Sequence, residues 1–219
     1  PNGHFVVTDP GFDQPSGPFN VGAVHHYLPD GSLLATLKGA TSGAQVGLSG
    51  ITILASGDYL VRSPAWNGAG ISSAGAVTRV DGETGLNGVV SAANSVIGSS
   101  ASDLVGQVAP VALPNGAYVV IAPRWDNAGI ADAGAVVFGS SAAGVVGPIS
   151  AANALVGANA QDRIGNGGIV VLANGHWLAC TPEYDNGGAI DAGAVSFGSA
   201  VSGRSGVVSS SNSLVGASA

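Results

Sequence analysis

An all-β fold made of four copies of one unit follows from three observations on this sequence. Four segments carry the same signature at near-constant spacing, glycine supplies 36 of the 219 residues, and no apolar run keeps a helical period beyond about two turns. The signatures read NGHFVVTDPGFD, SGDYLVRSPAWN, NGAYVVIAPRWD and NGHWLACTPEYD, each followed by VGAV or AGAV. Their prolines, Pro10, Pro64, Pro123 and Pro182, are spaced by 54, 59 and 59 residues, and Gly3, Gly57, Gly116 and Gly175 keep the same intervals. Later in the units come SAANSVIG, SAANALVG and SSSNSLVG, with Asn94, Asn153 and Asn212 in register. The first copy is shorter and lacks that asparagine. The units run 1–55, 56–114, 115–173 and 174–219, the last incomplete.

Each unit reads as four short strands. The first is an apolar run, at 46–54, 105–113 and 164–172, ending in a Gly-containing turn. Asn-Gly in that turn predicts a type I′ hairpin, in which both central residues have positive φ. The return strand, Tyr118 to Ala122 or Trp177 to Thr181, is closed by proline, which cannot donate to a ladder. A polar loop follows, then a third strand such as Gly134 to Phe138. The fourth element runs from Val145 to Ser150 into the SAANALVG stretch. One such unit cannot bury both faces of its sheet, so copies must pack on each other. A period near 60 with four strands favours β-propeller blades over a linear stack or fibre. The first strand occurs three times for four return strands, so the array calls for more copies or a neighbouring chain to cover its edge.

Composition excludes several functions. Only 9% of residues are charged, the net charge is -7, and the six basic residues are scattered singly. Without a Lys/Arg cluster there is nothing to displace counterions from a phosphate backbone, so nucleic acid is not an expected partner. No apolar run is long enough for a spanning helix. The one cysteine, Cys180, sits in an apolar run and reads as a small buried hydrophobe. GxSxG, HExxH, P-loop and dinucleotide motifs are absent in usable context, and the chain is expected not to be an enzyme.

The stretch from Ile164 to Ser199 resembles the FG-GAP repeat of integrin-α-type propellers. Ile164-Gly165, Ala109 to Leu113, Thr181-Pro182 and Gly193-Ala194-Val195 stand where that pattern has its glycine corner, apolar strand, proline corner and Gly-x-Val strand. The NGxYVV, SPxWDNG and DAGAV signatures are similar to repeats of large secreted bacterial proteins of the filamentous-haemagglutinin type. The resemblance spans essentially the whole chain, and implies a propeller and an extracellular or bacterial cell-surface location. Many FG-GAP repeats hold calcium in an Asp-rich loop between their first two strands. Here LASGDY, LPNGAY and LANGHW are tight hairpins without that carboxylate set, so the calcium role does not carry over to them.

The aromatic two residues after each proline, Phe12, Trp66, Trp125 and Tyr184, is the leading candidate for a ligand site. A flat apolar ring beside Asp126-Asn127 or Asp185-Asn186 is what a glycan platform needs. The competing reading, which large aromatics favour in general, is that these rings pack against the next unit. Asp126, Asp132, Asp185 and Asp191 also offer oxygen ligands for calcium, although Asx residues in such loops more often brace turns. Asp103, Asp162 and the three register asparagines are expected to bond turn backbone, and His25-His26 to be a surface or strand pair rather than a zinc site. Two functions follow. One is a non-enzymatic extracellular adhesion module that recognises a glycan or surface protein through its loops. The other is a structural, self-associating repeat of a surface fibre or array.

Overall fold

The computed structural model describes residues 3–68 and 70–218, and among these it contains strands and no helix. Asn2, half of the first predicted turn, and the terminal positions 1 and 219 of the repeat array lie outside the described residues. The strands in chain order are β1 (Phe5–Asp9), β2 (Ala23–Tyr27), β3 (Leu33–Lys38), β4 (Ile51–Ile53), β5 (Tyr59–Ser63), β6 (Ala76–Val80), β7 (Gly88–Val89), β8 (Ser95–Ile97) and β9 (Val111–Ala112). Then come β10 (Tyr118–Ala122), β11 (Ala135–Gly139), β12 (Gly147–Pro148), β13 (Ala154–Val156), β14 (Ile169–Val171), β15 (Trp177–Thr181), β16 (Ala194–Gly198), β17 (Gly206–Val207) and β18 (Ser213–Val215). They form four sheets, ordered β1-β2-β3-β7, β12-β8-β6-β5-β4, β17-β13-β11-β10-β9 and β14-β15-β16-β18.

Most neighbours in each sheet are antiparallel, as short turns require. The hairpin turns differ from the expected type I′. Gly57, Gly116 and Gly175 have φ of 94°, 84° and 82°, but the preceding Ser56, Asn115 and Asn174 do not have positive φ. Gly116 N–H donates to Leu113 C=O and Leu113 N–H to Ala117 C=O, a three-residue loop with glycine in the left-handed position. The Asn115 side chain accepts from Ala117 N–H and Asn174 from His176 N–H, which holds the asparagine in its right-handed conformation.

The predicted fourth element is two strands, and they belong to different sheets. Gly88-Val89 pairs parallel with β3 of the preceding repeat, Gly147-Pro148 with β8, and Gly206-Val207 with β13. After a tight turn the chain returns to its own sheet, where β8, β13 and β18 pair antiparallel with β6, β11 and β16. The asparagine expected to brace this turn does so. Asn153 Oδ1 accepts from Ser150 N–H, and Asn94 and Asn212 Nδ2 donate to Val89 and Val207 C=O. The first apolar run is also divided. Only 51–53, 111–112 and 169–171 are strand; the leading Val46, Val105 and Ile164 sit in a separate turn.

The chain forms two compact units, one of residues 1–107 with 146–148, the other of 108–145 with 149–219. Each holds two sheets around its own core. In the first, Val24, Leu37 and Val46 meet Tyr59, Val61 and Trp66; in the second, Val119, Val136 and Leu155 meet Trp177, Ala179 and Tyr184. Every residue of β10 is buried. Cross-strand glycines make room for the largest rings. Gly139 faces Tyr118 and Gly198 faces Trp177, and a Cβ on either would lie 2.1 Å from ring atoms.

Gly198→Ala therefore drives a methyl into a fully buried indole. It is expected to destabilise the fold by about 1–3 kcal/mol, read as a lower urea midpoint with unchanged slope.

Candidate functional site

The structure places three of the four predicted platform aromatics inside. Trp66, Trp125 and Tyr184 are 7%, 3% and 6% exposed, and Tyr184 donates its hydroxyl proton to buried Val208 C=O at 3.1 Å. Trp66 and Tyr184 are members of the two cores. Phe12 is half-buried, with its ring edge-on to His25. The flat faces a sugar would stack on are covered at the three buried positions.

The polar residues beside them close the loop. Asp13, Asn67, Asp126 and Asp185 each accept through Oδ1 from a backbone N–H six or seven residues on, at Asn20, Ser73, Asp132 and Asp191. Those four recipients all have positive φ, between 49° and 52°, so the carboxylate or amide holds an otherwise disfavoured backbone in place. Asn127 and Asn186 donate through Nδ2 to Gly157 and Gly216 C=O, both at 2.8 Å. Asp132 lies 3.9 Å from Arg163. Among the described residues, no cluster of three or more His, Cys, Asp or Glu is placed to hold a metal ion.

Asp103 and Asp162, buried at 1% and 0%, accept from paired backbone amides: Ser99 and Ser100, and Ala158 and Asn159. Asp162 also accepts from Asp185 N–H, tying two repeats together. Cys180 is half-buried rather than buried, because the face of β15 that carries it is uncovered.

Sequence reasoning missed the feature these carboxylates serve. Residues 44–47, 103–106 and 162–165 form a hook that seats in the preceding repeat. The amides of Val46, Val105 and Ile164 donate to Val21, Ala74 and Ala133 C=O at 3.0–3.1 Å. The preceding residues, Gln45, Leu104 and Arg163, donate to Asn20, Ser73 and Asp132 C=O. The socket wall is the glycine of the (V/A)GAV signature. A Cβ on Gly22, Gly75 or Gly134 would lie only 2.1–2.2 Å from the hook amide, so no other residue fits. The hook glycines pack on Val24, Val77 and Val136. Their amides at Gly47 and Gly165 donate to the hydroxyls of Ser63 and Thr181, deep in the core. Left-handed Gln45, Leu104 and Arg163 and the hook glycines were a visible signal only as the recurrent Val-Gly, Val-Gly, Ile-Gly pair.

The expected strand pair His25-His26 lies on β2. His26 is buried, its ring 3.1 Å from His4 and 3.3 Å from the Tyr59 hydroxyl, and these side chains line a 260 Å³ pocket with Ile51, Ile53 and Phe5. Burial raises the Tyr59 phenol and lowers His26 below its ordinary value of 6.5; the charge of His4 adds to the lowering and that of Asp81 opposes it.

A tandem repeat architecture closed by hooks is thus the class of molecule the geometry defines. The chain matches the family described as "Repeat of unknown function (DUF5650)" over residues 53–107, 112–166 and 171–219, and it belongs to that family. The family frame begins at the end of the first strand, a few residues before the units read from the turns. No curated protein matches the chain.

His26 gives a pH dependence. Its folded value is depressed, so the unfolded chain takes up the proton more readily. The stability it contributes is complete above pH 6.5 and is lost as the pH falls through that value towards the lower folded one. The urea midpoint should drop between neutral and mildly acid pH, and His26→Gln should flatten that drop.

Proposed function

We propose that this chain is a non-enzymatic structural repeat module that works by associating with further like units, face to face. One observation carries the reading. Within the second unit, Val119, Ile121, Val136 and Leu155 present one face of their sheet and are 0–4% exposed. The equivalent residues one repeat later are Leu178, Cys180, Val195 and Leu214, where the first three are half-buried and Leu214 is 79% exposed. The same apolar face is therefore buried when a like sheet follows and open when none does. Burying one leucine is worth about 1.5–3 kcal/mol, a strong drive to cover such a face.

The glycan-platform reading has less support, because the rings and polar loop groups it needs are engaged within the fold. A stacked array suits the two-residue parallel strands, Gly88-Val89, Gly147-Pro148 and Gly206-Val207, that join the sheet of the repeat before. Propeller closure is the alternative arrangement, supported by the period near 60 with four strands and by the FG-GAP resemblance; an extracellular or cell-surface setting draws on that resemblance alone.

Sedimentation velocity across a wide range of micromolar concentrations tests this. Association that rises with concentration and disappears in Leu214→Glu is the expected result. A chain that stays monomeric throughout overturns the reading.

A further inference from the structure

The fourth socket is built like the other three. Gly193 N–H donates to Tyr184 C=O at 3.0 Å, as Gly134 does to Trp125 at 2.9 Å. Gly216 N–H donates to Gly193 C=O at 2.9 Å, as Gly157 does to Gly134 at 3.2 Å. Gly216 approaches Ala192 C=O as closely as Gly39, Gly98 and Gly157 approach Val21, Ala74 and Ala133. Asp191 keeps the left-handed φ of Asp132, 52° against 49°.

What differs is the occupant. A Cβ on Gly22, Gly75 or Gly134 meets a hook amide at 2.1–2.2 Å, whereas on Gly193 the nearest atom is Pro182 O at 3.6 Å. A groove of about 460 Å³ opens there, lined by Cys180, Pro182, Gly193, Val195, Leu214 and Gly216 among others. Ala192 and Asp191 C=O stand at the places where Ala133 and Asp132 C=O accept from Ile164 and Arg163. Val195 replaces the Val136 on which the hook glycine packs.

We propose that this groove is a docking site for the hook of a further repeat of this family, a segment of the form x-(Leu/Ile/Val)-Gly preceded by a turn-capping residue such as Asp. The proposal rests on the face-to-face reading above and names its partner. Three occupied copies of the same socket specify the chemistry: two backbone amides for two carbonyls, one branched aliphatic side chain, and a glycine against a valine. A carboxylate at the hook's start, as in Asp103 and Asp162, pre-forms the turn by holding two of its amides. Pre-forming the turn reduces the ordering cost of docking. The same further repeat would bring a Gly-Val strand to the open edge of β18, where β7, β12 and β17 lie in the other sheets.

The probe is a synthetic peptide with the sequence of residues 159–168, NAQDRIGNGG, titrated into the full chain. Backbone amide NMR should show saturable shifts centred on Ala192, Gly193, Val195 and Leu214. Replacing the peptide's isoleucine by aspartate, or Leu214 by glutamate in the chain, should weaken binding at least about tenfold. Leu214→Glu alters an exposed side chain and should leave the thermal midpoint of the free chain unchanged. A second arm appends the sequence of residues 161–172 after Ala219, which removes dissociation. The amides of Val215 and Gly216 should then gain protection from hydrogen exchange. No saturable shift together with no gain of protection overturns the proposal, as does binding that ignores both substitutions. Its failure is separable from that of the association reading, since the peptide assay reads hook binding to one chain and sedimentation reads chain with chain.

Discussion

A backbone amide seated against a glycine with no side chain is the contact on which the architecture depends. At Gly22, Gly75 and Gly134 the hook amide occupies the very space a Cβ would fill. Two hydrogen bonds fix each hook there, and Val46 and Ile164 carry their aliphatic side chains into the cores of the first and second units. The contact is short, directional and intolerant of bulk, so within each unit it fixes the offset between the two sheets more strictly than apolar packing alone, which accepts many arrangements of similar volume. The buried aspartates Asp103 and Asp162, and the left-handed residues ahead of each aliphatic, are the local cost of presenting that amide at the right angle.

Around that fixed contact the repeats vary where variation is cheap. The cross-strand pair Thr78 with Ser95 shares a hydrogen bond at 2.7 Å, and Ser196 with Ser213 does the same. In the intervening repeat the pair is Val137 opposite Ala154, wholly apolar. Replacing both partners together leaves no orphaned hydroxyl, which is why the exchange is tolerated in a buried site. The aromatic after the hairpin turn changes from Tyr59 to Tyr118 to Trp177. Each tyrosine hydroxyl finds a partner, His26 or Val145 N–H, whereas the indole N–H of Trp177 has none among the described residues.

Much of the fold was legible in the sequence because strands, turns and corners are local. The glycine and proline spacings reveal the period, the proline corner ends β5, β10 and β15, and the register asparagines brace their turns as expected. The hook was hidden because Ile164 and Ile169 to Leu172 read as one apolar run. The glycines between them, which break the strand and let the first residue enter a different sheet pair, look like ordinary strand glycines until the partner is seen. The division of the fourth element was hidden for a related reason: which sheet a two-residue strand joins is decided by distant carbonyls. The loop aspartates were legible as turn formers and as ligands alike, since both roles ask for the same oxygen at the same place. The aromatics gave an equally double reading, and burial could be known only from the core that encloses them.

The two-residue parallel strands β7, β12 and β17 put the period of the sequence and the period of the sheets out of phase. A sheet such as β12-β8-β6-β5-β4 takes its last strand from the repeat that follows, so a cut between those two repeats divides it. Gene duplication nevertheless works from any starting point, because a copied period of 59 residues restores every loan between neighbours except at its two ends. Such an array lengthens or shortens by whole periods without a privileged boundary. Selection on its length is thereby freed from selection on where the copy begins.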